Sequence, residues 1–230
     1  MYNELIQAFL RASATIEPAG FKKFYRRLVV HMIEQASIQF GIAGMPLAID
    51  ETRIPVAGHP NIWEAIRAGV TPDLDQFWSL LRDTYEEKGT AIAYRQAAST
   101  LVAALGLTHP AAVRRSSKIV RLRLEADSEA VAMAARPSRR LRANCREPVG
   151  AAIAALAVFA QEAGAGPLAR CLRQFEYGEV FLAQQRRTFP EVDVIQFNEY
   201  WELRFNRPLA EQLLQLVSRH AGLPNCNLHS

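Results

Sequence analysis

The chain has 230 residues, half of them hydrophobic and 22% charged, with a formal net charge of +4. That length buries a substantial core, as one large domain or as smaller lobes, and the balance excludes disorder for the body of the chain. Three well-separated cysteines (Cys145, Cys171 and Cys226) argue against a disulfide framework and fit a reducing cytosol.

The longest apolar run, Val149 to Ala160, is short and mostly alanine, whereas a membrane span needs about 20 strongly apolar residues. Glu4 stands where a secretory signal would carry basic residues, so the chain is expected to stay in the cytoplasm.

Taken in order, the periodicity predicts a mainly α fold, a multi-helix globular protein with one small β-hairpin near the C-terminus. Tyr2 to Ile16 and Phe21 to Phe40 read as helices, the second with a stripe of Phe21, Phe24, Leu28, Met32 and Ala36. Met45 to Pro60 reads as a Pro/Gly loop with a short extended piece at Leu47 to Asp50. Asn61 caps a short helix, and Thr71 with Pro72 starts the next, whose Leu74, Phe77, Trp78, Leu81 and Tyr85 recur at helical spacing. Another helix is expected from Ala91 to Leu105.

After Pro110 a helix is favoured, although Val120, Leu122 and Leu124 alternate with Arg121 and Arg123 as a strand would. An Ala-rich helix from Val149 to Ala163 and another from Leu168 to Arg187 follow. Between Val192 and Phe205 a hairpin turning at Asn198-Glu199 sets Val192 opposite Phe205, Val194 opposite Leu203 and Gln196 opposite Trp201. Asp193 then opposes Arg204 on the other face, a favourable cross-strand pair. A last helix begins at Asn206. The expected organisation is an N-terminal helical lobe over residues 1–107, a basic segment over 108–147 and a C-terminal lobe over 148–230.

Charge is the most informative feature. Between Ala112 and Arg146 lie ten basic residues and three acids, a net +7 that leaves −3 for the rest of the chain. Its members include Arg114, Arg115, Lys118, Arg121, Arg123, Arg136, Arg139, Arg140 and Arg142. Neutralising phosphates with such a block releases counterions and favours a polyanion. No Phe, Tyr or Trp lies between Thr108 and Pro148, which favours duplex backbone over stacked single strands. Arg95 to Lys118 also reads as a helix-turn-helix, with Gly106 in the turn and Thr108 capping the second helix. Its fit is one residue out, because Val113 rather than Ala112 is the aliphatic after the turn.

The expectation is therefore a non-catalytic nucleic-acid-binding protein, duplex DNA favoured, acting as a regulator or as a subunit of a nucleoprotein complex. A helical protein-interaction module whose basic patch meets an acidic partner is the alternative. An enzyme without a recognisable motif, using the Asp50 to His59 loop, ranks third. No cofactor is implied, since Walker, Rossmann and nucleophile-elbow signatures are absent from the sequence. Cys226 and His229 have ligand-like spacing but no second pair to complete a metal site. Asp73 with Glu86-Glu87-Lys88 resembles a nuclease carboxylate string. One helix separates its ends, and the helix dipole accounts for those charges.

Overall fold

The computed structural model describes residues 18–42, 44–56, 58–132 and 137–222. Its residues form two units, each with its own core. The expected helix from Tyr2 to Ile16 lies outside the described residues.

The first unit runs to Ile42 and resumes from Pro46 to Ala93. It holds Pro18–Phe40 (α1), Ile62–Arg67 (α2), Leu74–Tyr85 (α3) and the start of Gly89–Ala104 (α4). The buried stripe of α1 is Tyr25, Val29, Met32, Ala36 and Phe40. It is rotated from the expected one, with Phe24 and Leu28 packed at its margin. Leu74, Phe77, Leu81 and Tyr85 of α3 bury against the same cluster. Asn61 caps α2 as expected, its side-chain oxygen accepting from the Glu64 N–H at 3.0 Å. For α3 the cap is Asp73 rather than Thr71, because its carboxylate accepts the Gln76 N–H at 3.0 Å.

The second unit takes in the rest of the chain and combines helices with two β-sheets. Five strands form one antiparallel sheet, in the order Val113–Arg115 (β1), Ile119–Glu125 (β2), Tyr200–Asn206 (β8), Val192–Gln196 (β7), Gln185–Phe189 (β6). A second sheet joins Ser128–Ala130 (β3), Ser138–Leu141 (β4) and Phe181–Leu182 (β5). The expectation of a mainly α, all-α chain is thus overturned. The reason is long-range pairing: β2 matches β8 along its whole length, Ile119 to Asn206 through Glu125 to Tyr200.

The expected hairpin is present with the expected register, Val192 to Phe205, Asp193 to Arg204, Val194 to Leu203 and Gln196 to Trp201. It is not a small appendage, however; its strands lie inside the five-stranded sheet, between β2 and β6.

One face of this sheet is buried. Val120, Leu122, Leu124, Val192, Val194, Trp201, Leu203 and Phe205 meet Ala143–Glu162 (α5) and Arg207–Ala221 (α7) in a single cluster. The small side chains of α5, Ala152, Ala155, Ala157 and Ala160, are all buried and let it pack closely. Helix α5 starts at Ala143, ahead of the expected Val149, and carries Pro148 inside it. Gly166–Arg173 (α6) stops well short of Arg187. The residues beyond it turn back to supply β5 and β6, and Phe181 packs edge-on against Trp201 at 5.9 Å.

Candidate nucleic-acid interface

The helix-turn-helix does not form. Helix α4 ends at Ala104, Gly106 takes a left-handed turn, and Pro110–Ala112 makes one 3-10 turn before β1 begins. Val113, Ile119 and Val120 are β-branched, and the alternation over Val120 to Leu124 finds its apolar partners on β8. The recognition helix is therefore replaced by a basic β-hairpin, β1–β2, turning through Ser116, Ser117 and Lys118. Ser116 ties that turn, its N–H donating to the Ile119 carbonyl at 2.8 Å and its hydroxyl to the same oxygen at 2.9 Å.

Strand periodicity sorts the arginines by face. Arg114 stands directly opposite Arg121, and Arg121 directly opposite Arg204, so three guanidiniums cross β1, β2 and β8 in one row on the solvent face. Arg204 bonds Glu202 at 2.5 Å. Arg114 and Arg121 are exposed and, among the described residues, have no carboxylate within 4.0 Å. Arg115 opposes buried Val120 and lies on the other face, its Nε buried with no hydrogen-bond partner. Lys118 sits in the hairpin turn, where its carbonyl accepts the Arg207 N–H at 3.0 Å.

Arg123 is the next solvent-facing residue of β2. It lies 4.2 Å from the centre of the Tyr200 ring and 3.0 Å from Glu125. Tyr200 in turn stacks on Phe197 at 4.8 Å with 25° between the planes. Beside this row is an open cavity of about 410 Å³, whose walls include Ala103 to Gly106 at the end of α4, His109, Ala111, Arg114, Arg121, Arg123, Tyr200 and Glu202.

The second half of the basic block does different work. Arg139 donates from Nε to the Ser128 hydroxyl at 2.9 Å and from Nη2 to the Ser128 carbonyl at 2.6 Å. That hydroxyl donates to the Asn198 carbonyl at 2.6 Å, so Arg139 ties β3 and β4 to the β7–β8 turn. Arg140 pairs with Glu129 at 2.7 Å and Arg142 with Asp127 at 3.2 Å. The block's three acids, Glu125, Asp127 and Glu129, thus each neutralise one of its own arginines. Arg136 lies outside the described residues.

Sequence reasoning missed Tyr200, Glu202, Arg204 and His109 as parts of this face. The alternation of β8 exposed the first three in principle, since every second residue from Tyr200 points away from the core. Nothing in the sequence placed His109 there.

The other candidates are engaged locally. In the Asp50 to His59 loop, Asp50 pairs with Arg53 at 2.8 Å and Glu51 accepts the Trp63 indole N–H at 3.1 Å. Asp73 and Glu86 flank the twelve-residue α3 at opposite ends, about 18 Å apart, too far to share a metal. Cys226 and His229 lie outside the described residues. No helix among the described residues is long and apolar enough to cross a membrane. Compared with protein-family models, with curated protein sequences and with solved structures, the chain matches none.

Proposed function

We propose that this protein binds nucleic acid, duplex DNA favoured, through the solvent face and turn of the β1–β2 hairpin, without a catalytic step. The observation that carries the reading is the pair Arg114 and Arg121, opposed across two strands with no carboxylate of the described residues within 4.0 Å. Like charges directly opposite destabilise a sheet, and a row of phosphates removes that cost while releasing counterions. The Ser116-Ser117-Lys118 turn supplies hydroxyls and an ammonium of the kind that positions a protein on the backbone.

The test is fluorescence anisotropy with a mixed-sequence duplex over a salt series. The double variant Arg114→Gln, Arg121→Gln is expected to bind about tenfold more weakly and to flatten the salt slope by about 2, one for each phosphate no longer neutralised. An unchanged affinity and slope in that variant overturn the reading. Displacement of the duplex by an acidic protein at equal charge concentration does so as well, and it points instead to a protein partner.

A further inference from the structure

We propose that the 410 Å³ cavity beside β1, β2 and β8 is a pocket for a phosphomonoester, the terminal phosphate of a nucleic-acid strand or that of a free mononucleotide. This rests on the reading of the same face as phosphate-binding and gives it a narrower chemistry. Three observations carry it.

The first is charge. Of the ionised side chains around the cavity, Glu202 is paired with Arg204 and Glu125 with Arg123. Among the described residues, Arg114 and Arg121 are left without a carboxylate within 4.0 Å, side by side in register, with β-carbons about 5 Å apart. Two unneutralised guanidiniums at that spacing match a dianion. A phosphomonoester carries about −1.5 to −2 at neutral pH, whereas an internal diester or a carboxylate carries one charge. Guanidiniums bind phosphate oxygens in bidentate fashion, which fixes its orientation as well as its charge.

The second is shape. A diester inside a duplex is tethered on both sides along a convex backbone and meets a flat or ridged surface. A monoester projects on one bond and enters a concavity. The cavity volume falls in the range of small-ligand sites, about 300–1,000 Å³.

The third is the wall. Arg123 lies over the Tyr200 ring at 4.2 Å, and Tyr200 is itself stacked on Phe197, so the guanidinium plane of Arg123, rather than the ring, is the surface set against the remainder of the ligand. A base stacks on such planes. The combination of two free guanidiniums with a stacking wall fits a nucleotide better than inorganic phosphate.

The experiment compares four probes with the full chain: a blunt duplex bearing 5′-phosphates, the same duplex with 5′-hydroxyls, adenosine monophosphate and adenosine. The expected result is about tenfold tighter binding of the phosphorylated duplex at equal salt, with binding of the monophosphate and none of adenosine. Binding of the monophosphate at concentrations comparable to the duplex end assigns the pocket to free nucleotides too; its absence alongside the end preference assigns it to strand termini. Ala111→Trp fills the cavity and leaves every arginine in place. It is expected to abolish the end preference while keeping duplex affinity and salt slope.

Equal affinity for both duplexes together with no binding of the monophosphate overturns the pocket and leaves the wider face intact. A preference that survives Ala111→Trp also overturns it. Monophosphate binding without affinity for either duplex supports the pocket and overturns duplex binding by the hairpin face.

Discussion

Asp193 joins β6 to β7 through one side chain. Its carboxylate takes the Arg186 guanidinium at 2.6 Å and the Thr188 hydroxyl at 2.9 Å. The Arg186 hydrogen bond is the main reason its carboxyl titrates below the usual carboxylate range; burial opposes this, and Thr188 with the charges of Arg186 and Arg204 adds to it. A carboxyl that binds protons less readily folded than unfolded adds stability that is present above its unfolded pKa, about 4. That stability is lost as pH falls through the depressed native value. Asp193→Asn is therefore expected to lower the unfolding free energy by about 1 kcal/mol near neutral pH. The gap between variant and parent should close as urea titrations are repeated below about pH 4. A gap that stays constant into strong acid assigns the loss to packing instead.

At the scale of single elements, helix α5 carries a glycine with a specific reason. A β-carbon on Gly150 would stand 2.3 Å from the Tyr177 hydroxyl oxygen and 2.6 Å from its Cζ. Alanine in a helix interior is ordinarily worth about 1 kcal/mol over glycine. Here Gly150→Ala is expected to destabilise by about 1–2 kcal/mol through overpacking. In a Tyr177→Ala background the same change should stabilise by about 1 kcal/mol, a sign reversal that thermal unfolding of the four variants will read.

The elements also divide by how far local pattern could reveal them. Helix α3 and the β7–β8 hairpin were legible, because each carries its own period and, for the hairpin, its own partner within a few residues. Strand β2 was ambiguous, since Ile119 to Glu125 alternates cleanly but Arg121 also follows Arg114 and Lys118 at helical spacing. The deciding partner, β8, begins 75 positions later at Tyr200. Strand β6, Gln-Arg-Arg-Thr-Phe, has no apolar alternation and is held by its ladder to β7. The composition of the candidate site was half legible: charge located Arg114, Arg121 and Arg123, whereas the residues from β8 joined them only through pairing.

For the molecule as a whole, the +7 block divides into a surface and a scaffold. Arg139, Arg140 and Arg142 hold β3 and β4 to neighbouring residues, while Arg114, Arg121 and Lys118 are displayed on the hairpin. Arg140→Gln, Arg142→Gln is accordingly expected to leave the salt slope of duplex binding unchanged, although it removes the same formal charge as the hairpin double variant. A slope reduced equally by both pairs would show that bulk charge, and not the hairpin, governs association. The strand order has a further consequence. Its outermost members are β1 and β6, and β1 bears Arg114, exposed and with no carboxylate of the described residues within 4.0 Å. An unpaired strand is a template onto which another molecule can add, and cations there repel an identical sheet arriving with its own. On the proposed reading Arg114 is both a phosphate contact and a guard against self-association at the β1 edge, and stripping it would trade recognition for a tendency to polymerise.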